Sequence, residues 1–560
     1  MIYFPKSDKT DERSKTAKCF SDVYFSEFFA LLGITAMPLS LDMLPQESGK
    51  GSVLFLGAGD YAVYASELHD WCSSGGTVIA LGSGGIAELC EMREVGTVCA
   101  DTPYTLNGHL LFSDDMMSPC RRLPVEADIR HCRPCEEKKM PVRVLATSEE
   151  YGLPLVFSRT VGDGNIVYFA FSLLQTLWYK TQGKPVTRDT NGDGYMRSCD
   201  SIITDWSDTF AMPAVDAYLH FIEELLLSCD DIPFIHQVPA DDGVPCDYAL
   251  YFAGDEDLCG KQMFEANREL RSRGVPYHVH LQPRDYRDFT VTAEQFHALE
   301  QEGLGLSLHF DFITDKSYRY DFEALRAQTE LYRSAFGKLP AVCNTHWCIY
   351  NGFGETARWY RKLGLAATFC QVGMNTDFAD INKMNYYGFA YGTTYPAQSF
   401  NDKRYGHKPT GIYDLKIAFY EPRVHGDADE KRIDELMRLT CDWALTTNIF
   451  IHPVYLVEDK TAVLAAVDRI LEAGKGKRVA ILQTSDLVQW WHARAESKLT
   501  PCRNGEYEAE FCAPMVIKAP QGVRVTIDGV AAEGYEKTIA GRNMLLAAVP
   551  AGKHSICLTR

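Results

Sequence analysis

The sequence predicts an α/β protein in which a (β/α) barrel lies between an N-terminal α/β domain and a small C-terminal antiparallel β domain. Short apolar runs alternate with helical patterns in the first part of the chain, and the alternation repeats over about 250 central residues. The last ~60 residues instead alternate apolar with polar side chains, which is typical of antiparallel strands. A chain of 560 residues is too long for one hydrophobic core. We therefore expect domains at 1–235, 236–498 and 499–560.

A strand–helix–strand unit predicts the N-terminal domain. Residues 20–35 have the apolar period of an amphipathic helix. The runs GSVLFLGAG (51–59) and TVIALGSGG (77–85) are typical of buried parallel strands, and a helical pattern separates them. NIVYFAF (165–171) predicts another strand, and residues 212–229 predict a long helix.

Repeated strand-then-helix units predict the central barrel. Helical patterns such as KQMFEANRELRSRG and DFEALRAQTELYRSAFG separate the strand-like runs. After YALYFAG, those runs are YHVHL (277–281), LGLSLHF (304–310), AVCNTHW (341–347), AATFC (366–370), NIFIHPV (448–454) and RVAILQ (478–483).

Acidic and histidine residues stand where several predicted barrel strands end. The carboxyl ends of parallel strands meet at one edge of a barrel, and α/β folds build their sites there. Consecutive acidic residues after a strand repel one another, and this repulsion is costly unless a bound cation or a reaction makes use of the charges. The candidate residues are Asp255, Asp257, His309, Asp311, His346 and His452.

The order of these residues resembles the polysaccharide deacetylase family (carbohydrate esterase family 4 and its divergent relatives). The resemblance covers about 250 residues and implies a metal-dependent enzyme that removes acyl groups from sugars. It implies that Asp255 is the general base and that Asp257 and His309 bind the metal. It also implies that His452, in an Ile-His-Pro segment, is the general acid. The run QTSDLVQWWHARAE resembles the closing segment of the family.

The chain departs from the common family pattern at three places. The first motif is Phe-Ala-Gly-Asp-Glu-Asp, where the family commonly has Thr-Phe-Asp-Asp, and CNTHW lacks the arginine of the third motif. The residue four after His309 is Ile313, which cannot bind a metal. Asp311 or His346 must therefore complete the predicted site. Zn²⁺ is the divalent metal that we expect.

The predicted function is that of a metal-dependent carbohydrate deacetylase-like hydrolase acting on an N-acetylated or O-acylated sugar or glycan. The alternative is a catalytically inactive carbohydrate-binding or scaffold protein that keeps the barrel. A net charge of -19 argues against non-specific nucleic-acid binding. Gly57-Ala58-Gly59 loosely fits a dinucleotide-binding turn, but no acidic residue ends a strand about 20 residues later, so we expect no nucleotide cofactor. The oligomeric state stays open.

Residues 189–200 have the spacing of a twelve-residue calcium loop. Oxygen-bearing side chains at alternate positions can surround one hard cation, and glycine at the sixth position permits the turn. An Asx-turn-rich surface loop without Ca²⁺ is the competing interpretation. We expect a structural role, or a loop that reaches over the mouth of the barrel. The predicted calcium residues are Asp189, Asn191, Asp193, Tyr195 and Asp200.

The N-terminal domain resembles the flavodoxin-like fold of class I glutamine amidotransferases. The resemblance rests on its βα pattern and on the sharp turn Gly82-Ser83-Gly84-Gly85 after a predicted strand. Active members carry a cysteine at this turn, where the present chain has Ser83 or Gly84. The resemblance therefore implies that the N-terminal domain is non-catalytic and accompanies the barrel.

The sequence favours a cytoplasmic location. The N-terminus has no apolar stretch typical of a signal peptide, and nowhere do ~20 consecutive apolar residues predict a membrane span. The 18 cysteines are scattered, which is typical of reduced, buried thiols. We expect neither a membrane nor a nucleic acid among the partners.

Overall fold

The computed structural model describes residues 1–6, 20–46, 49–100, 102, 104–113, 120–135, 142–190, 192–203, 212–314, 319–373, 388–502 and 505–560. Contacts divide the chain into two compact units. The first consists of Met1–Thr181, Ala214–His236 and Arg494–Arg560, and the second of Gln182–Pro213 and Gln237–Ala493. Residues 182–213, which the expected boundaries place in the first domain, therefore cluster with the barrel.

The N-terminal part of the first unit is built on a mixed nine-stranded sheet in the order β2-β1-β3-β4-β11-β10-β9-β6-β7. The strands from β2 to β11 pair in parallel, and the remaining pairs are antiparallel. The strands up to β12 are β1 Ile2–Pro5, β2 Met37–Leu39, β3 Val53–Leu56, β4 Thr77–Leu81, β5 Met92–Val98, β6 His109–Phe112, β7 Arg122–Pro124, β8 Ile129–Pro134, β9 Arg143–Ser148, β10 Pro154–Val161, β11 Gly164–Phe169 and β12 Phe234–Ile235. Of these, β5 and β8 form a separate two-stranded sheet, and β12 belongs to a C-terminal sheet. The α-helices are α1 Phe25–Leu32, α2 Ala65–Ser73, α3 Leu173–Gln182 and α4 Ala214–Leu227.

The predicted strand–helix–strand unit is confirmed by β3, α2 and β4. Every residue of β3 and β4 is buried, as expected for continuous apolar runs covered on both faces. At the turn after β4, the Ser83 side chain is buried, and its hydroxyl donates to the carbonyl of Gly57 at 2.7 Å. This hydroxyl is held inside the fold. The resemblance of this domain to class I glutamine amidotransferases stays a prediction.

The predicted barrel is confirmed in the second unit. Seven parallel strands close in the order β14-β15-β16-β17-β19-β20-β13, because β13 also pairs with β14. The strands are β13 Tyr248–Asp255, β14 Tyr277–Leu281, β15 Gly305–Phe310, β16 Val342–Thr345, β17 Ala367–Val372, β18 Ala397–Phe400, β19 Pro409–Tyr420, β20 Thr446–Phe450 and β21 Val479–Leu482. The α-helices are α5 Gln262–Arg271, α6 Ala293–Gln301, α7 Phe322–Phe336, α8 Glu355–Lys362, α9 Asp427–Asp442, α10 Tyr455–Glu458, α11 Lys460–Glu472 and α12 Thr484–Glu496.

Strand β13 closes the ring by changing partners along its length. Its first half pairs with β21, and its second half pairs with β14, which places Asp255 opposite His280. Just before Asp255, the chain passes close to the end of β20. A Cβ atom on Gly254 would lie 1.9 Å from the carbonyl oxygen of Ile451. Glycine is therefore required for this close approach.

Two antiparallel sheets form the C-terminal part of the first unit, in the orders β12-β24-β28-β27 and β22-β23-β29-β25-β26. In β23, exposed and buried side chains alternate along EYEAEF, which is the burial expected for a strand with one face in a core. The strands are β22 Lys498–Pro501, β23 Glu506–Phe511, β24 Met515–Pro520, β25 Arg524–Ile527, β26 Val530–Ala531, β27 Gly534–Ile539, β28 Arg542–Val549 and β29 Gly552–Thr559.

Within the described residues, none of the helices combines the length and the apolar character that crossing a bilayer requires.

Replacement of Gly254 by alanine should destabilise the barrel. The added methyl group would overlap the Ile451 carbonyl, and we expect a loss of about 2–3 kcal/mol in the free energy of unfolding. Gly426→Ala is the matched control, because Gly426 has an extended backbone and open space around it. Urea unfolding followed by tryptophan fluorescence measures both variants. Equal midpoints for the two would contradict the close approach.

Candidate metal and catalytic site

Asp255 is the buried centre of a hydrogen-bonded group at the carboxyl edge of the barrel. One carboxylate oxygen accepts a hydrogen bond from Nδ1 of His280 at 2.9 Å, and the other accepts one from Nδ2 of Asn344 at 2.9 Å. His280 Nδ1 also faces the Gly254 carbonyl, so this nitrogen carries the proton. Burial raises the pKa of Asp255 to about 6, while the charges of His309 and His452 act in the opposite direction.

Asp257 is presented by a short, strained loop after β13. It has a left-handed backbone with φ of 43°, as does Leu258 with φ of 62°. Glu256 holds this loop, because its buried carboxylate accepts the main-chain N–H groups of Leu258 and Gly260 and the hydroxyl of Thr290. Glu256 is therefore the structural member of the three consecutive acids, and Asp257 is the member left half-buried.

Asp257, His309 and His346 form a group that can hold a metal. Each offers one ligand atom, and these atoms all lie within 4.8 Å of one another. Nε2 of His309 lies 3.2 Å and Nε2 of His346 lies 3.9 Å from the same Asp257 oxygen. Although burial favours the neutral acid, the charges of His452, His309 and His346 together hold the pKa of Asp257 below its usual range.

Asp311 lies behind His346, outside this group. It accepts a hydrogen bond from His346 Nδ1 at 3.1 Å and the main-chain N–H of Ile313 at 3.0 Å. The first contact leaves Nε2 of His346 directed toward Asp257. A carboxylate that orients a ligand histidine in this way is usual around protein metals. Of the two residues that the sequence offers as the third ligand, the structure places His346 beside Asp257 and Asp311 behind it.

The donor set fits a divalent transition metal. Two imidazoles and one carboxylate are ligands that Zn²⁺ and related ions accept. The His309 side chain is fully buried, yet neither of its ring nitrogens makes a well-aligned hydrogen bond among the described residues. A buried imidazole without such partners is costly unless a ligand uses it. This observation supports a metal between the three side chains.

His452 faces the other carboxylate oxygen of Asp257 and is held by Glu421. The Glu421 carboxylate accepts both the main-chain N–H and Nδ1 of His452. Nε2 of His452 therefore points to the centre, 3.3 Å from Asp257 and 3.8 Å from Asp255. Burial disfavours the charged imidazole, but Glu421 and Asp257 outweigh it and raise the pKa of His452 to about 10.

Three residues of the site were missed by the sequence interpretation: His280, Asn344 and Glu421. The alternating pattern of YHVHL carried a signal for His280, and Asn344 stands in the predicted strand end CNTHW. Glu421 follows β19, a strand that the sequence interpretation did not include. The apolar run IYDLKIAFY was a signal for that strand, but nothing local connects Glu421 with His452, 31 residues away.

The calcium-type loop packs against the barrel in the second unit. Asp189 accepts the N–H groups of Gly192 and Gly194, and Asp200 accepts those of Thr190 and Arg197. These bonds shape the loop as a turn. The other residues predicted to bind calcium are Asp193, whose carboxylate lies 3.1 Å from Arg197, Tyr195, whose N–H donates to Asp193, and Asn191, which lies outside the described residues. Ca²⁺ binding stays a prediction.

Trp347, next to His346, is an exposed aromatic side chain at the same edge. It is 42% exposed and has a left-handed φ of 59°, an arrangement that costs about 1 kcal/mol or more for a non-glycine residue. The loop supports it: the ring of Tyr195 lies 5.0 Å from the Trp347 ring, and the guanidinium of Arg197 lies 4.9 Å from it. Backbone strain beside a candidate ligand is typical of functional sites.

Comparison with known proteins finds partial likenesses. No family profile and no curated protein matches the chain. A putative polysaccharide deacetylase from Mycobacterium smegmatis is 12% identical over 48% of this chain and 98% of that one, with a TM-score of 0.30. A family 4 carbohydrate esterase from Streptomyces lividans is 11% identical over 42% and 99%, with a TM-score of 0.24. The β-galactosidase from Bacillus circulans sp. alkalophilus is 16% identical over 28% of this chain and only 25% of its own, with a TM-score of 0.22. Scores this low establish neither a shared fold nor a shared activity.

Removal of the Asp257 carboxylate should abolish tight metal binding. We expect Asp257→Asn to weaken Zn²⁺ affinity by at least about 100-fold and Asp311→Asn to weaken it by about 10–100-fold, because the second only frees the His346 ring. Competition with a chelating dye measures the affinity after the protein has been stripped and reloaded. The exposed Asp442→Asn is the control. Unchanged affinity in Asp257→Asn would rule out the proposed ligand group.

Proposed function

We propose that this chain is a metal-dependent hydrolase that removes an acetyl or other acyl group from an N-acetylated or O-acylated sugar or glycan. The observation that carries the proposal is the placement of two differently held groups around Asp257. Asp255 is anchored by His280 and Asn344, and His452 is anchored by Glu421. A carboxylate and an imidazole fixed next to a metal-ligand group suit base and acid roles.

The residues of the site have separate tasks in this proposal. Asp257, His309 and His346 would hold a divalent cation, which would supply Lewis-acid chemistry to the acyl group. Asp255 accepts the proton of the attacking water. His452 donates the proton on Nε2 to the leaving amine or alcohol, while its Nδ1 stays bound to Glu421. Glu421 is therefore a positioning residue.

Trp347 supports a sugar as the substrate. Its ring is exposed beside His346, with the Tyr195 ring perpendicular to it and the Arg197 guanidinium over one face. The C–H groups on one face of a pyranose pack well against an indole, while the sugar hydroxyls stay in water. An aromatic surface next to the metal group would therefore orient an acylated saccharide toward Asp255 and His452.

Acetate release from N-acetylated chito-oligosaccharides and acetylated xylan tests the reaction. Asp255→Asn and His452→Gln should each lower kcat by about 100-fold or more, because each removes one proton-transfer group. Glu421→Gln should lower kcat less and leave KM near the wild-type value, since it disturbs only the orientation of His452. Asp442→Asn should behave as the wild type. If the folded, metal-loaded protein binds these glycans but releases no acyl group, it is the inactive binding protein instead.

Trp347→Ala should weaken substrate binding more than it slows the reaction. We expect KM to rise about 3–10-fold, in line with ~0.5–1.5 kcal/mol for an aromatic contact, with kcat within about twofold. Trp347→Phe, which keeps an aromatic face, should recover most of the affinity. The two parameters are measured with the saccharide that gives the highest rate. A fall in kcat alone would place Trp347 in the support of His346 and not in sugar binding.

A further inference from the structure

The two carboxylate oxygens of Asp257 face different histidines. Oδ1 lies 3.2 Å from Nε2 of His309 and 3.9 Å from Nε2 of His346, and these three residues form the candidate metal group. Oδ2 lies 3.3 Å from Nε2 of His452, and the candidate metal group does not use this oxygen. A carboxylate with nitrogen ligands grouped around each of its oxygens can bridge two cations in a two-metal site. Asp257 therefore offers a second ligand position on the side of His452.

Asp255, Asp257 and His452 form a second group with the spacing of metal ligands. Each offers one ligand atom, and these atoms all lie within 4.8 Å of one another. Nε2 of His452 lies 3.3 Å from Asp257 and 3.8 Å from Asp255. Ligand atoms that surround a tetrahedral Zn²⁺ at ~2.0–2.1 Å are separated by about 3.3 Å. These three side chains can therefore close around one cation with little movement.

His452 and His346 are oriented in the same way, by a carboxylate behind the ring. The Glu421 carboxylate accepts a hydrogen bond from Nδ1 of His452. The Asp311 carboxylate accepts one from Nδ1 of His346 at 3.1 Å. Each imidazole consequently presents Nε2 to Asp257. A carboxylate in this position fixes the tautomer of a ligand histidine that binds a cation. The arrangement typical of a metal ligand thus occurs twice around Asp257.

The second group is open to solvent through Asp257. The Asp257 side chain is 32% exposed, whereas the side chains of His452 and Asp255 are 9% and 6% exposed. Asp255 is also fixed in place, because its carboxylate accepts hydrogen bonds from His280 and Asn344. A cation that enters past Asp257 would therefore find the other two ligands already positioned.

A further group of possible ligands, in the first unit, is less suited to a cation. It consists of His109, Glu149 and Glu150. Nη2 of Arg122 lies 2.9 Å from Nδ1 of His109, and Nε of Arg122 pairs with Glu149 at 2.7 Å. A guanidinium this close repels a cation and already balances part of the carboxylate charge. The barrel group is therefore the better place for a second ion.

We propose that Asp255, Asp257 and His452 bind a second divalent cation, more weakly than the first group binds its own. The cation would take the place of the proton on Nε2 of His452, which passes to solvent, and this exchange lowers the affinity. For the reaction proposed above, on which this consequence rests, the second cation is an inhibitor. It would occupy both the carboxylate that accepts a proton from water and the imidazole that donates one.

Equilibrium dialysis of the metal-stripped full chain against Zn²⁺ tests the proposal, with the bound metal measured by atomic absorption. We expect two ions per chain, the second with a dissociation constant at least about tenfold higher than the first. His452→Gln should bind only the tight ion, because an amide does not replace an imidazole as a zinc ligand. His425→Gln is the matched control and should keep both ions, since the His425 side chain is 59% exposed and lies outside both groups.

Two further variants keep the test decisive if His452→Gln fails to fold. Asp255→Asn should also lose only the weaker ion, whereas His346→Gln should lose the tight ion and retain the weaker one. Loading the wild type with two equivalents of Co²⁺ adds an independent measurement. Cations in two-metal sites lie about 3.5–4 Å apart, so spin coupling should reduce the EPR intensity per ion below that of the protein with one Co²⁺.

The proposal is overturned if the wild type binds one ion only, if His452→Gln retains both ions, or if the two Co²⁺ ions are uncoupled. Loss of the second ion in Glu150→Gln would place that ion beside His109 and would also overturn it.

Acyl release is measured separately, with one and with two ions bound. The second ion should lower the rate by about 100-fold or more, because it occupies both proton-transfer groups. An unchanged rate would overturn the inhibitory role. If no acyl group is released with one ion bound, the proposed function fails, and the cation site still stands or falls on the dialysis.

Discussion

Closure of the parallel barrel through β13 is the constraint on which the candidate site depends. This strand changes partners from β21 to β14 along its length, so that Asp255 ends up opposite His280 at the carboxyl edge. The absence of a side chain at Gly254 lets the Ile451 carbonyl approach from β20. His452 follows that carbonyl directly. The close contact between Gly254 and the Ile451 carbonyl therefore sets the positions of Asp255 and His452, the two proposed proton-transfer groups.

The electrostatic balance of the site follows from this geometry. Burial of a carboxylate or an imidazolium is costly unless each has a partner. Asp255 has donors on both oxygens, and His452 has Glu421 on the side away from the centre. The groups left facing one another are Asp257 and His309. A cluster of titratable groups with perturbed pKa values is typical of functional sites. Here the cluster lies where a bound metal cation could balance the charges of these groups.

The turn after β4 in the N-terminal α/β part is held by contacts within its own chain. At the turn after β4, the Ser83 hydroxyl is held by main-chain carbonyl groups, which is a structural use of a position where a nucleophile would need to be free. Among the described residues, neither carboxyl oxygen of Glu126 has a hydrogen-bond partner, and both oxygens are shielded from solvent.

The sequence by itself determined many of the strands and most of the candidate residues. Continuous apolar runs predicted β3, β4 and the barrel strands other than β19, and for β14 the predicted residues 277–281 coincide with the observed strand. Asp255, Asp257, His309, His346 and His452 were found because each stands at the end of a strand, which is a local property of the sequence. The same local patterns could not show which of Asp311 and His346 is the candidate metal ligand and which lies behind it.

Only the tertiary structure decided which side chains meet. Asn344 reaches Asp255 across 89 residues, and Glu421 reaches His452 from a strand that the sequence interpretation had missed. The calcium-type loop likewise packs beside Trp347, which follows a barrel strand more than a hundred residues later in the chain. Periodicity reports which face of a strand is buried. It carries no information on which strand ends come together, because closure of the barrel joins residues that are distant in the chain.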